Sequence, residues 1–360
     1  METPVVSIIV LTFNQLEKAT KFCIESVIKN TDLRKNELIV VDNASTDNTP
    51  GFLRKLESSP GKIRVKLNQW NRGYAGGNND GIRMARGRYI VLLNNDTLTP
   101  AGWLGPLVNA LETHPNIGLA GPVTNFAGNE QRIELRGLNR QNFEKIAAGY
   151  TSRNKGIWFE THRLGFFCVA MRAELIGEIG YLDEEFGIGM FEDDDFCLRV
   201  MKERRQSPAV LEDCFVYHMG GASFKHFSHD DYYALFRKNE KYFLKKHGFN
   251  WILSDSLLAY WAKLERDFSA FREQTGRLDP NIERALVRFE DFKHLLIQSY
   301  VAERKPMDHN KTTSPLAKKY QRQIRREIFR REFISGSMNQ KWNYLKAIKS
   351  SLIERKWNKV

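Results

Sequence analysis

A chain of 360 residues with 42% hydrophobic and 12% aromatic side chains has the material for a substantial core, and its length suits one large domain with an appendage. The composition excludes collagen-like, low-complexity and repeat-array chains, and no run approaches the 18 apolar residues of a membrane-spanning helix. The net charge of +12 is uneven: residues 301–360 hold 16 Lys and Arg against 5 Asp and Glu, so the first 300 residues are near neutral.

The opening METPVVSIIVLTFN runs almost at once into an apolar pattern, with no basic stretch or cleavage site, so a secretory leader is not expected. VVSIIVLTF (5–13) reads as a buried strand, followed by a polar helix over roughly 15–29. NELIVVDNASTD (36–47) is a second strand ending in polar residues. A helix around 48–57 and a short strand, KIRVKLN (62–68), come next. NRGYAGGNNDGIRMARG (71–87) has a glycine-rich opening and a helical second half, and RYIVLLNNDT (88–97) is a strand running into a polar tip. Strands alternating with helices predict an α/β fold with a parallel sheet. Such sheets bind ligands beyond the carboxyl ends of their strands, so Thr12–Asn14, Asp42–Asp47 and Asn94–Asp96 should line one crevice. RLGFFCVAMR (163–172) reads as a core strand. The cysteines (Cys23, Cys168, Cys197, Cys214) are scattered without C-x-x-C spacing, which fits a reducing cytoplasm.

FEDDDFCLRV (191–200) packs four carboxylates into consecutive positions. Adjacent like charges repel, so stability alone does not gather them. Taken singly, the other polar residues have plain structural readings. Asp96 suits a strand-end turn, DNASTD after Asp42 looks like helix-cap chemistry, and a lone His218 after CFVY is more often a satisfied core residue. Asp195 and Arg199 have i,i+4 spacing and read first as a structural pair, with Asp194 exposed. The glycine pattern at 71–87 is neither a Walker A loop nor G-x-G-x-x-G.

Nine segments in order change the weight of those readings. They are SIIVLTFNQ, IVVDNASTD, NRGYAGGNNDGI, ARGRYIVLLNNDT, GLAGP, LGFFCVAMRAELIGEIGYLDEEFG, FEDDDFCLR, VYHMGGASF and YYALFRKNEKYFLKKHG. Over about 5–248 the chain resembles the family 2 glycosyltransferases of the GT-A fold, inverting enzymes with nucleotide-sugar donors; LLNNDT resembles their rhamnosyltransferase-like branch. The resemblance implies a Rossmann-like, mostly parallel sheet flanked by helices. It implies a divalent cation, Mg²⁺ or Mn²⁺, held by Asp96 and His218 against the donor diphosphate. It places Asp42 on the base, where a carboxylate accepts from the N3–H of uracil or thymine, hence a UDP- or dTDP-linked donor. Thr12, Asn14 and Arg72 would add nucleotide contacts. Asn94 stands where the family usually has the first Asp of D-x-D; it keeps a hydrogen bond to ribose but adds no charge. Gly165 and Phe166 would shape the donor-sugar pocket. Asp193 would be the general base that deprotonates the acceptor hydroxyl, with Glu192 and Asp195 around the acceptor or behind the base. Transfer to a glycan, a lipid-linked glycan or a protein in bacterial-type surface polysaccharide or glycoconjugate synthesis follows as the expected role.

The expected organisation is a catalytic domain at 1–248 and a helical, basic region at 249–360. Helices are predicted at 251–275, from Asp279–Pro280, from Ser314–Pro315 and at about 339–357. Ile282, Ala285, Leu286, Phe289, Phe292 and Leu296 make one apolar stripe, suited to core packing or a second copy of the chain. The basic helices suit an anionic membrane surface from the cytoplasmic side, and equally a solvated face. Two other classes compete. A nucleic-acid-binding protein would explain the basic tail, but no recognised module is present and no specific nucleic acid is expected. A non-catalytic nucleotide-sugar-binding scaffold would keep the fold, yet Asp42, Asp96, Asp193 and His218 are all retained.

Overall fold

The computed structural model describes residues 3–58, 62–220, 228–248 and 284, all within a compact unit formed by Met1–Trp251 and Leu278–Ala285. The helices expected at 251–275, 314 onward and 339–357, and the stripe at 282–296, lie outside the described residues, as does the basic tail.

Four apolar runs form one half of an eight-stranded sheet. They are β1 (Val6–Thr12), β2 (Glu37–Asp42), β3 (Ile63–Leu67) and β4 (Tyr89–Asn94), parallel in the order β3-β2-β1-β4. Between them run α1 (Lys21–Asn30), which a π-helical turn at Leu16–Thr20 introduces, α2 (Thr49–Glu57) and α3 (Gly73–Met84). Past the two-residue β5 (Thr97–Leu98), α4 (Leu104–Thr113) leads to β6 (Ile117–Val123), and α5 (Phe143–Arg153) leads to the edge strand β7 (Trp158–Glu160). β8 (Cys168–Arg172) runs antiparallel between β4 and β6, β9 (Ser207–Phe215) lies parallel to β6, and β7 closes that edge antiparallel to β9. The result is the mostly parallel α/β sheet flanked by helices that the sequence predicts, with β8 reversed at its centre.

β1, β2 and β4 are almost wholly apolar and buried because both of their faces are covered. Side chains alternate across a strand. Val6, Ile8 and Val10 join Ile24, Leu53 and Leu107 of α1, α2 and α4 in one cluster. Ile9 and Leu11 face the opposite way, onto α3. A Cβ on Gly77 would sit 2.3 Å from Leu11 Cδ1, and one on Gly81 2.3 Å from Ile9 Cγ2. These glycines let α3 lie directly on β1, so the helix begins at Gly73, inside the glycine-rich stretch the sequence reads as its non-helical opening.

Register then places the site. Thr12 pairs with Asp42 and Leu11 with Asn94, so the polar ends of β1, β2 and β4 finish side by side. β5 pairs antiparallel with β10 (Tyr217–His218), setting Thr97 opposite His218. After α6 (Glu174–Ile179), α7 (Glu192–Arg199) carries the acidic run, and α8 (His229–His247) follows β10.

Candidate active site

The end of β2 carries a carboxylate with an unused oxygen. Asp42 is 1% exposed; its Oδ2 accepts from the Ser45 N–H at 3.1 Å, while Oδ1 is buried with no hydrogen-bond partner among the described residues. Burial raises its pKa, and the Ser45 hydrogen bonds counter part of that rise. A buried acceptor left open costs free energy unless a donor reaches it. Asn14 organises the neighbouring loop: its Oδ1 accepts from the Thr46 N–H at 2.8 Å and its N–H donates to Ser45 Oγ at 2.6 Å. Thr12 is differently placed from the expected nucleotide contact. Its hydroxyl is buried 2.8 Å from that of Thr20, and Asn95 Nδ2 donates to both. It ties β1 to the tip of β4 from inside the fold.

Arg72 also differs from expectation. Its Nη1 donates to Asp80 at 2.5 Å and its Nη2 to Glu184 at 2.9 Å, so the guanidinium fastens α3 to the 180–187 loop. Asn43, to which the sequence reading gave no role of its own, holds the 68–73 loop that leads into α3. Its Oδ1 accepts from the Arg72 N–H and Asn68 Nδ2, and its Nδ2 donates to Asn71 Oδ1 and the Gly73 carbonyl. The signal was the recurrence of Asn at 43, 68 and 71 in otherwise unrelated loops.

At the end of β4, Asn94 is half-buried and its carbonyl accepts from the Thr97 hydroxyl. Asp96 and His218 meet: Nε2 lies 3.1 Å from Oδ1, 122 positions apart in the chain. The ring is held on both sides, with Nδ1 2.8 Å from the Phe126 carbonyl and the Phe167 ring stacked at 5.2 Å and 16°. Burial would lower the His218 pKa, but the hydrogen bond and charge of Asp96 outweigh it and raise it. With Nδ1 turned to the Phe126 carbonyl, Nε2 is the ring nitrogen that faces Asp96, and loss of its proton would make it a ligand beside that carboxylate. One carboxylate and one imidazole therefore fit a divalent ion whose remaining ligands come from a diphosphate and water. Among the described residues no group of three His, Cys, Asp or Glu side chains could hold an ion unaided.

The acidic run resolves into four different environments. Glu192 is 6% exposed with Oε2 unpartnered, and its pKa stands well above the usual carboxylate range through burial and the neighbouring charges, Asp193 first. Asp193 is partly open. Burial raises its pKa too, but the N–H groups of Asp194 and Phe166 and the charge of Arg163 oppose the rise. Both carboxyls are therefore pushed up, and the charge of either opposes ionisation of the other. Asp194 is not exposed as expected: its side chain is 12% accessible, with Arg163 Nη1 4.0 Å away. Asp195 is fully buried against two cations, Arg199 at 2.9 Å and Lys246 at 2.6 Å, and the His247 imidazole at 2.7 Å. Burial alone would raise its pKa; the His247, Arg199 and Lys246 partners bring it down to about 2. It locks α7 to α8, and its distance from the acceptor role is set by that burial.

Phe166 and Phe167 link the two halves of the site. The Phe166 ring is buried against Phe196, so it serves the core more than a sugar pocket, while its backbone N–H faces Asp193 and its carbonyl accepts from the Tyr74 hydroxyl at 2.6 Å. The next residue stacks on His218. Gly165 donates its N–H to Gln131 Oε1 at 2.7 Å, which fixes the start of this stretch.

Residues 7–180 match the family model described as glycosyl transferase family 2. A Campylobacter jejuni protein named GalNAc(5)-diNAcBac-PP-undecaprenol beta-1,3-glucosyltransferase is 35% identical over 29% of this chain and 34% of its own length. The Escherichia coli UDP-Glc:alpha-D-GlcNAc-diphosphoundecaprenol beta-1,3-glucosyltransferase WfgD is 32% identical over 37% of this chain and 48% of its own. A crystal structure of GalNAc-T7 with UDP, GalNAc and Mn²⁺ aligns at TM-score 0.49 and 14% identity, covering 76% of this chain and 57% of that one. The chain spans less than half the length of the curated relatives it matches best.

Proposed function

We propose, for a chain whose residues 7–180 match the model of glycosyl transferase family 2, an inverting transfer of a sugar from a UDP- or dTDP-linked donor to an acceptor hydroxyl in glycan synthesis. The observation that carries this reading is the bridge at Phe166–Phe167: the N–H of the first faces Asp193, and the ring of the second stacks on His218, the partner of Asp96. Asp42 Oδ1, buried and unpartnered, accepts from the base N3–H and so satisfies both groups. Asp96 and His218 would hold Mg²⁺ or Mn²⁺, which when bound would supply positive charge against the diphosphate leaving group. Asp193 takes the proton of the acceptor hydroxyl as it attacks the anomeric carbon from the face opposite the diphosphate, a single displacement that inverts the centre. Glu192, next in the chain to the base, can hydrogen-bond an acceptor hydroxyl.

The names of the Campylobacter and Escherichia relatives support a lipid-linked glycan as acceptor and UDP-glucose as the first donor to try. No helix among the described residues is long and apolar enough to cross a membrane. The basic residues of 301–360 are proposed to bring the enzyme to an anionic membrane surface where such acceptors reside. The test is a panel of UDP- and dTDP-sugars with Mn²⁺ or Mg²⁺, read first as thermal shift and then as release of nucleoside diphosphate. The expected result is metal-dependent stabilisation and turnover by one donor. Stabilisation without turnover on any acceptor would favour a scaffold, and neither would remove the transferase reading.

A further inference from the structure

The turn that introduces α7 is strained. Met190 and Phe191 are consecutive non-glycine residues with φ of 81° and 77°, in the left-handed region that side chains disfavour. Such a conformation persists only where surroundings over-determine it, and α8 supplies them. Asn239 is fully buried, and its Nδ2 donates to the carbonyls of Phe186 at 2.8 Å, Gly189 at 2.9 Å and Met190 at 3.1 Å. Two hydrogens thus serve three carbonyls of one turn. On the same face of α8, Phe236 and Phe243 pack on the Phe191 ring at 5.1 and 5.8 Å, and Lys246 and His247 pair with Asp195. Phe191 is followed by Glu192 and Asp193, so the direction of the turn sets the direction of the carboxylates.

We infer that Asn239 is a positioning residue: by holding the left-handed Met190–Phe191 turn it aims the first turn of α7, and with it Asp193, into the site. This rests on the reading of Asp193 as general base. The amide suits the task because it donates twice and carries no charge that would disturb the neighbouring carboxylates. Aspartate has the same shape but would turn an acceptor toward three carbonyls.

The experiment uses the full chain and the donor that gives the largest thermal shift in the panel above. Asn239→Ala should lower kcat by about 10- to 100-fold, as a misplaced catalytic group does, with donor Kd changed by no more than about twofold. In the Asp193→Asn background the same substitution should lower the residual rate little further, because both changes act through one group. Met190→Gly should restore part of the lost kcat, since glycine holds the left-handed conformation without help. Equal losses in the wild-type and Asp193→Asn backgrounds, with no rescue by glycine, would overturn the positioning role and leave Asn239 a packing residue. Unchanged kcat in a folded Asn239→Ala variant would do the same. A fully active Asp193→Asn enzyme would instead remove the base assignment, so the two failures are distinct. If Asn239→Ala does not fold, Met190→Gly alone in the otherwise wild-type chain decides: near-normal kcat shows the turn and not the residue type is needed, and a loss matching Asp193→Asn contradicts the strain account.

Discussion

Asp96 and His218 were each legible only as half of a pair. A strand-end aspartate and a histidine in an apolar segment are ordinary when read singly, and what joins them is the β5–β10 pairing, which no local pattern announces. If they share one ion, Asp96→Ala and His218→Ala should each weaken metal-dependent donor binding about 10- to 100-fold, and the double variant should lose little more. Donor titration with Mn²⁺ and with EDTA checks this; additive losses, or a wild type indifferent to EDTA, would count against the shared site. Asp195 gives the converse lesson. Its i,i+4 partner Arg199 was visible in the sequence, but Lys246 and His247 reach it from another helix. Its carboxyl is held at about 2, below the unfolded value near 4, so its contribution is complete above pH 4 and lost as pH falls through 2. The expected size is about 2 kcal/mol for this fully buried group. Asp195→Asn should therefore lower stability at pH 7 and flatten the loss between about pH 4 and 2, measured by urea unfolding across that range.

Helices and strands of the first half could be read from apolar runs separated by polar helical stretches, because β1, β2 and β4 are covered on both faces and so are apolar along nearly their whole length. Two elements could not. β8 reads as a core strand, but its antiparallel direction depends on the long excursion from β6, which has no periodic signature. α3 starts earlier than propensity allows, since glycines disfavour helix, and close approach to β1 overrides that preference. Gly81→Val should destabilise the fold by about 2–3 kcal/mol through a clash with Ile9. Gly105, exposed in α4 with nothing within 4 Å of an added Cβ, is the control. Gly105→Ala should be neutral or stabilise by up to about 1 kcal/mol. Denaturant midpoints of the two variants decide; equal effects would mean that helix propensity, not approach, governs both positions.

At the scale of the molecule, the compact unit takes in one described residue from the later part of the chain, Arg284. Arg284 Nη2 donates to Asn154 Oδ1 at 2.8 Å, and its Nε lies 3.9 Å from Oε1 of fully buried Glu212. A chain cut after residue 300 keeps this contact and should melt within a few degrees of the full protein. One cut after 248 removes it; Arg284→Ala isolates that loss, expected at about 1–2 kcal/mol, or roughly 2–6 °C in Tm. An unchanged Tm for both the 248 truncation and Arg284→Ala would show the contact to be idle. Neither the contact nor the need for it was readable from an arginine in an amphipathic stretch.

The proposed mechanism depends on a proton leaving the acceptor for Asp193. Turnover and donor affinity of Asp193→Asn, measured together on the full chain, test this most directly. The amide keeps the shape and the hydrogen bond from Asp194 N–H but takes no proton. The expected result is a fall in kcat of about 10²- to 10⁴-fold, with donor Kd within about threefold of wild type. Near-normal kcat in a folded Asp193→Asn enzyme would contradict the account.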